Sequence, residues 1–310
     1  MLTVIILFVF GLLCLIKGGD WFVDSAVEIA KVSGLSQVLI GATIVSIATT
    51  LPELIVSSTA ALHGETTMSV GNAVGSMICN IGFILAISAI FGNIVIKDKH
   101  FKMKSITLVL YTFVLIACSL DKKIVKVESV LLITLLIVYI YTNVKTLKLN
   151  NNIKAANKSE VKLRKIMLNF ILGLCLILLG SNLIVDNGIL LAELMKVPTA
   201  VISLTLIALG TSLPELVVGI SSLLKGNEEI SVGNIIGANI FNITLVTGVS
   251  GLISELRIIP QNLMLDMPIA LLVSLILIIP SLITKRILKI QGLFLISIYF
   301  SYIIYMFQSV

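Results

Sequence analysis

Apolar residues run along this chain in ten long blocks, near 2–30, 37–62, 68–92, 103–119, 125–144, 166–193, 198–224, 230–254, 262–284 and 288–307. Each is close to the roughly 20 residues that carry a helix across a bilayer. The pattern predicts an all-α integral membrane protein with ten transmembrane helices. The first block is too long for a signal peptide. It also lacks a basic leading region and an A-x-A cleavage site, so it is expected to be a mature helix.

The blocks are not independent of one another. Residues T49-T50-L51-P52-E53-L54 and G71-N72-A73-V74-G75-S76-M77-I78-C79-N80 return as T211-S212-L213-P214-E215-L216 and G233-N234-I235-I236-G237-A238-N239-I240-F241-N242. The offset is 162 throughout, and it also pairs Gly11 with Gly173, Gly18 with Gly180, Asp24 with Asp186 and Gly64 with Gly226. Five blocks separate equivalent points, an odd number, so the second copy enters the membrane the other way up. The expected organisation is a five-helix repeat over 1–144, a linker over 145–165 and an inverted five-helix repeat over 166–310. The linker holds Lys, Asn, Ser and Ala with few apolar residues, and at about 20 residues it is too short for a folded domain. Inverted repeats of this kind place a binding site at the bilayer midplane between the halves.

Composition agrees with a membrane location. The 310 residues are 58% apolar and 12% charged, against about 45–50% and 25% in soluble domains; mean hydropathy is +1.13. The net charge of +6 could suggest nucleic acid, but the placement of the charges gives a different reading. Of 22 lysines and arginines, sixteen fall in one alternate set of loops and five in the other, with Lys17 inside the first block. Basic residues collect in cytoplasmic loops. The expectation is therefore a multi-pass plasma-membrane protein with both termini outside, a cytoplasmic 145–165 loop, contact with membrane lipid and no nucleic-acid partner. Cys14, Cys79, Cys118 and Cys175 all lie in apolar blocks without a C-x-x-C pair, and His63 and His100 sit near block ends. These read as small buried thiols, with neither a zinc site nor a disulfide framework.

The duplicated motif carries the chemistry. Proline inside a helix removes one backbone hydrogen bond and clashes with the carbonyl four residues earlier. Pro52 therefore frees the Ala48 carbonyl and Pro214 that of Gly210. Hydroxyls stand beside each break (Thr49, Thr50; Thr211, Ser212), and Glu53 and Glu215 follow one residue beyond the prolines. Intramembrane carboxylates are costly and by default functional. Hydroxyl, carbonyl and carboxylate oxygens suit a hard cation such as Ca²⁺, which takes 6–8 oxygens at about 2.3–2.6 Å; no histidine or thiolate motif accompanies them for a soft metal. Asn80 and Asn242 add amide oxygens at matching places. The four-residue spacing of Gly71 with Gly75, and of Gly233 with Gly237, reads as close helix packing. Whether Asn72 and Asn234 face the site or cap a helix break stays open at this level.

These motifs resemble the α-repeats of the cation/Ca²⁺ exchanger superfamily, and G-T-S-L-P-E is similar to its prokaryotic Na⁺/Ca²⁺ exchanger branch. The resemblance covers nearly the whole chain. It implies alternating access, with Na⁺ moving down its gradient to drive Ca²⁺ outward, no catalytic activity and no resident cofactor. It further implies that Glu53 and Glu215 are shared ligands for Ca²⁺ and Na⁺. Thr49 and Thr211 would join the Ca²⁺ site and the Ser46 and Ala208 carbonyls the flanking Na⁺ sites, with Thr50, Ser212, Asn80 and Ser76 beside them. The chain departs from the pattern twice. Some members have an aspartate where Asn242 stands, while others, including proton-coupled exchangers, have asparagine. Ser76 is matched by Ala238, which supplies no hydroxyl.

With both glutamates ionised the site carries −2, which one Ca²⁺ neutralises. Each uncompensated charge at a helix centre costs about 2.5–3.5 kcal/mol, so the bare site should cross slowly and exchange becomes obligatory. The alternatives are an H⁺-coupled Ca²⁺ or cation exchanger and, further off, a cation channel. An intramembrane enzyme lacks any H-E-x-x-H, nucleophile–base pair or phosphate loop. Oligomeric state is open, with a monomer as one alternative.

Overall fold

The protein, described here from a computed structural model, is seen over residues 2–92, 94–96, 100–149, 160–194 and 210–308. Long apolar segments become the helices α1 (Leu2–Ser33), α2 (Gln37–Thr49), α3 (Leu51–Leu62), α4 (Thr66–Phe91), α5 (His100–Cys118) and α6 (Lys126–Leu149). These are followed by α7 (Glu160–Leu194), α8 (Leu213–Leu224), α9 (Glu228–Ile253), α10 (Asn262–Thr284) and α11 (Lys289–Gln308). Eight of them are long and apolar enough to cross a membrane, and α2 with α3 form a ninth, bent by 43° at their junction. The first half of the expected 198–224 span lies outside the described residues, and α8 is its second half.

The fold is that of a helical membrane protein, with eight to nine apolar helices long enough to span among the described residues. Large apolar side chains such as Ile6 and Leu13 on α1, Phe113 on α5, Ile283 on α10 and Phe294 on α11 face outward, as a lipid-facing surface requires. Two helices stand apart from the rest. Some 72% of the apolar window of α4 is buried and 83% of that of α9, against 22–39% for the other spans, so these two form the centre.

Local features recur at the spacing of the sequence repeat. Proline opens both α3 and α8, because its missing N–H costs nothing in a first turn. The residue ahead is non-helical in both, Thr50 (φ −81°, ψ 0°) and Ser212 (φ −89°, ψ 5°). Both helices end in a glycine of positive φ, Gly64 at 81° and Gly226 at 64°, a conformation that only glycine adopts freely. Within α4 and α9 the backbone widens into π-turns starting at Asn80 and Asn242. At the first turn of α6 the Glu128 side chain accepts from the Val125 N–H at 2.8 Å, and at that of α11 Gln291 accepts from Leu288 at 2.7 Å. That last pair is 163 apart, so one extra residue enters the second half.

Small residues set the crossings. A Cβ on Gly18 would lie 2.8 Å from the Gly173 carbonyl, and one on Gly11 would lie 3.1 Å from that of Gly180. Since 11 meets 180 and 18 meets 173, α1 and α7 run antiparallel. Phe22 stacks on Phe170 at 4.4 Å between them. Gly233 and Gly237 are pressed against Val38, Ala42 and Ser46 of α2, as the packing reading expected. Gly71 and Gly75 instead line a cavity; the positions matching Val38, Ala42 and Ser46 in the second half lie outside the described residues.

Short loop pairings tie the helices together: Lys123 with Arg257 and Ile124 with Leu256, between β1 (Lys123–Ile124) and β2 (Leu256–Arg257), and a bridge between Val95 and Arg286. Two expectations need correction. Cys14, Cys79 and Cys118 are buried but Cys175 is exposed, because it faces outward on α7. Lys104, counted above with the loop lysines, is buried inside α5, where it donates to Asn143 Oδ1 and lies 5.3 Å from the centre of the Tyr139 ring.

Candidate ion-binding site

The breaks before Pro52 and Pro214 put Glu53 and Glu215 in the first turns of α3 and α8, where unsatisfied N–H groups and the helix dipole favour an anion. Both side chains are buried, at 0% and 1% exposure, and Ser212, three residues ahead of Glu215, reaches the Glu53 carboxylate. Glu53 Oε1 accepts from Ser76 at 3.4 Å and from Ser212 at 3.5 Å, and the two serines bond each other at 3.3 Å. Glu215 sits beside the hydroxyls of Thr49 and Thr50. Residues from both copies thus surround both carboxylates.

Two asparagines orient the threonines. Thr49 Oγ1 donates to Asn234 Oδ1 at 3.1 Å, and Thr211 Oγ1 donates to Asn72 Oδ1 at 3.3 Å. Each contact joins one half of the chain to the other, and each is the 162-residue counterpart of its partner. A hydroxyl whose proton is held by an amide keeps its lone pairs free for a cation. Asn72 also donates to the Glu53 carbonyl at 3.3 Å and to Ser57 at 2.9 Å. The question left open by sequence is therefore answered: both asparagines reach across to the hydroxyls beside the helix breaks.

The amides of Asn80 and Asn242 behave differently. Asn80 donates to Asn239 Oδ1 at 2.9 Å, and Asn239 in turn donates to the Met77 carbonyl at 3.1 Å. Asn242 is fully buried, and among the described residues neither end of its amide has a hydrogen-bond partner. Among the described residues four further buried oxygens besides Asn242 Oδ1 have no hydrogen-bond partner: Glu53 Oε2, Glu215 Oε2 and Thr50 Oγ1 at the two breaks, and Asn80 Oδ1 on α4. Buried polar atoms are ordinarily paired, and an orphan costs about 1–3 kcal/mol. A set of orphaned oxygens with two carboxylates among them fits a hard cation.

Of the residues expected here, Glu53, Glu215, Thr49, Thr50, Ser76, Asn80, Thr211, Ser212 and Asn242 come together. Ala208 lies outside the described residues. The Ser46 carbonyl accepts from the Thr50 N–H at 3.0 Å and lies 3.4 Å from Thr49 Oγ1, whose one proton goes to the nearer Asn234 Oδ1, so a lone-pair direction stays open. Asn239 was missed. Its counterpart is Met77, so a comparison of the copies passes over it. A cavity of about 460 Å³ reaches Ser76, Cys79 and Thr211 from the helix ends at Thr67, Ile259 and Met306.

Paired buried carboxylates at broken apolar helices, ringed by neutral oxygens, define a membrane carrier of small hard cations. Comparison with known proteins narrows the class. Residues 3–145 and 165–308 match the family described as "Sodium/calcium exchanger protein". The chain is 30% identical to the sodium/calcium exchanger MaX1 of Methanosarcina acetivorans over 99% of both chains, and 33% identical to the inner membrane protein YrbG of Escherichia coli over 89% of this chain and 88% of that one. It also superposes on a structure of the sodium-calcium exchanger NCX_Mj soaked with Na⁺ and Sr²⁺, with a TM-score of 0.88 and 30% identity over 97% of this chain and 98% of the other. The chain belongs to the sodium/calcium exchanger family and is a multi-pass membrane antiporter.

Proposed function

We propose that the chain exchanges Na⁺ for Ca²⁺ by alternating access at a site between two inverted five-helix halves, expelling Ca²⁺ as Na⁺ enters. The halves are 1–144 and 166–310, ten spans in all, joined by a cytoplasmic linker over 145–165. Support comes from the antiparallel packing of α1 on α7, from paired features about 162 residues apart and from the sidedness of the lysines. Both termini then lie outside, and the 460 Å³ cavity, reached from the start of α4 and the end of α11, opens outward.

Glu53 and Glu215 are the shared ligands for either cargo. Thr49 and Thr211, oriented by Asn234 and Asn72, add hydroxyl oxygens to Ca²⁺. Asn80 and Asn242 add amide oxygens, with Ser76, Thr50 and Ser212 beside them and the Ser46 and Ala208 carbonyls at the flanking Na⁺ positions. One observation carries the reading: two buried carboxylates linked through Ser212, each with an oxygen that no donor among the described residues satisfies. Na⁺ or Ca²⁺ balances their charge. The bare −2 site, costing several kcal/mol to pass through the membrane centre, stays put. Exchange is then tight, and no resident cofactor takes part.

A second reading, H⁺ in place of Na⁺, is favoured by the neutral Asn242 and by Ala238 where the other copy has Ser76. Sealed vesicles separate the two. Ca²⁺ movement that follows an imposed Na⁺ gradient at fixed pH supports Na⁺ coupling; movement that follows only a pH gradient establishes the alternative.

A further inference from the structure

A second carboxylate lies in the membrane away from the Glu53–Glu215 pair. Asp266, in the first turns of α10, is 3% exposed and lines the cavity that reaches Ser76 and Thr211. Its Oδ2 accepts from Asn262 Nδ2 at 2.8 Å and its Oδ1 from the Tyr302 hydroxyl of α11 at 3.1 Å. Among the described residues no lysine, arginine or histidine pairs with it; the salt bridges seen there join Lys123 to Glu255 and Lys225 to Asp20 and Asp24. Buried charges are ordinarily paired with an opposite charge or a metal. Here one carboxylate has only neutral neighbours, Asn262, Tyr302 and Gln261, which leave at least one of its about four acceptor positions open.

The fold does not require an acid at this place. The residue 162 positions earlier is Lys104, on α5, which lies over Tyr139, and Tyr139 precedes Tyr302 by 163. Equivalent positions of the two halves therefore hold opposite charges beside equivalent tyrosines. The acid belongs to the half whose helix ends surround the outward cavity.

We propose that Asp266, with Asn262 and Tyr302, is a capture site for a hard cation on the outward access path, distinct from the transport site. It holds Na⁺ or Ca²⁺ weakly and hands it on through the cavity toward Ser76 and Thr211. A negative charge in a low-dielectric cleft concentrates counter-ions and raises capture rates by 10–10³. The sidedness of this proposal rests on the exchanger reading above.

Two measurements test it. In membrane vesicles of defined orientation, Asp266→Asn raises the apparent KM for external Ca²⁺ about three- to tenfold, and in a separate arm that for external Na⁺. It leaves kcat within about twofold and the KM on the other face unchanged, and Asp266→Glu restores the wild-type values. An unchanged external KM, or a fall in kcat and thermal stability at constant KM, makes Asp266 a structural anchor between α10 and α11 and overturns the proposal. The second measurement needs no transport: calorimetric titration with Ca²⁺ of the purified full chain carrying Glu53→Gln and Glu215→Gln. Residual weak binding that Asp266→Asn removes supports the site, and no residual binding refutes it. Should the wild-type vesicles show no Na⁺-dependent Ca²⁺ movement, the exchanger reading fails and the titration alone decides.

Discussion

The two copies of the duplicated motif share a backbone but not an inventory of contacts. In the first, Glu53 accepts from Ser76 and Ser212, and Asn80 is tied to Asn239. In the second, Ala238 supplies no hydroxyl, and among the described residues the Asn242 amide has no hydrogen-bond partner at either end. Both asparagines open π-turns in the most buried helices of the chain, and such turns occur most often where function displaces regular hydrogen bonding. The copies thus differ in how their asparagines are held, Asn80 by Asn239 and Asn242 by no described residue, while each keeps a carboxylate oxygen open for a ligand. A duplicated fold can hold an asymmetric site, and the asymmetry lies in side chains that the backbone repeat tolerates.

The sharpest way to break this comparison is to neutralise its common element. Glu53→Gln or Glu215→Gln should lower Na⁺-dependent Ca²⁺ flux at least about 100-fold, since losing a charged ligand costs roughly 3 kcal/mol and every 1.4 kcal/mol is tenfold. Near-normal flux in Glu215→Gln would undo the assignment of the site. Next in size is the contrast between the asparagines. Asn239→Leu removes the hydrogen bond from Asn80 and the one to the Met77 carbonyl and should cost about 2 kcal/mol in thermal unfolding in detergent. Asn242→Leu should abolish transport with a smaller loss of stability, because no hydrogen bond to a described residue is lost; a stability loss there equal to that of Asn239→Leu would erase the distinction.

Smaller effects follow from restoring or removing symmetry. Asn242→Asp adds a third carboxylate, so flux should become more steeply dependent on Na⁺ concentration and more sensitive to pH; an unaltered Na⁺ dependence would place Asn242 outside the site. Ser76→Ala makes the first copy like the second. It should weaken Na⁺ activation several-fold, about 1 kcal/mol for one hydrogen-bonding oxygen, and leave Ca²⁺ affinity closer to wild type. Equal losses for both ions would show that the Ser76 hydroxyl does not distinguish them.

Much of this was legible in the sequence because membrane physics is strict. Long apolar blocks, prolines with freed carbonyls and the constant offset led directly to α1–α11 and to the neighbourhood of Glu53 and Glu215. What stayed hidden depends on contacts across the interface. Asn239 was passed over because its counterpart is Met77, and its partner Asn80 is 159 residues away. The role of Asn72 and Asn234 needs the opposite half in place. Lys104 reads as one more basic residue near a helix end, and only packing reveals that Asn143 and Tyr139 bury it. The exposure of Cys175 follows from the direction its face of α7 points, which an all-apolar helix does not announce. Gly71 and Gly75 repeat the spacing of Gly233 and Gly237, yet the first pair lines a cavity and the second a tight crossing. Spacing alone cannot tell those apart.

The most direct test of the central claim is uptake of radiolabelled Ca²⁺ into proteoliposomes loaded with Na⁺ and diluted into Na⁺-free medium at equal pH on both sides. The account predicts saturable uptake that collapses when Na⁺ is present on both sides and that is absent in Glu215→Gln. Uptake indifferent to the Na⁺ gradient and driven instead by a pH gradient would contradict it.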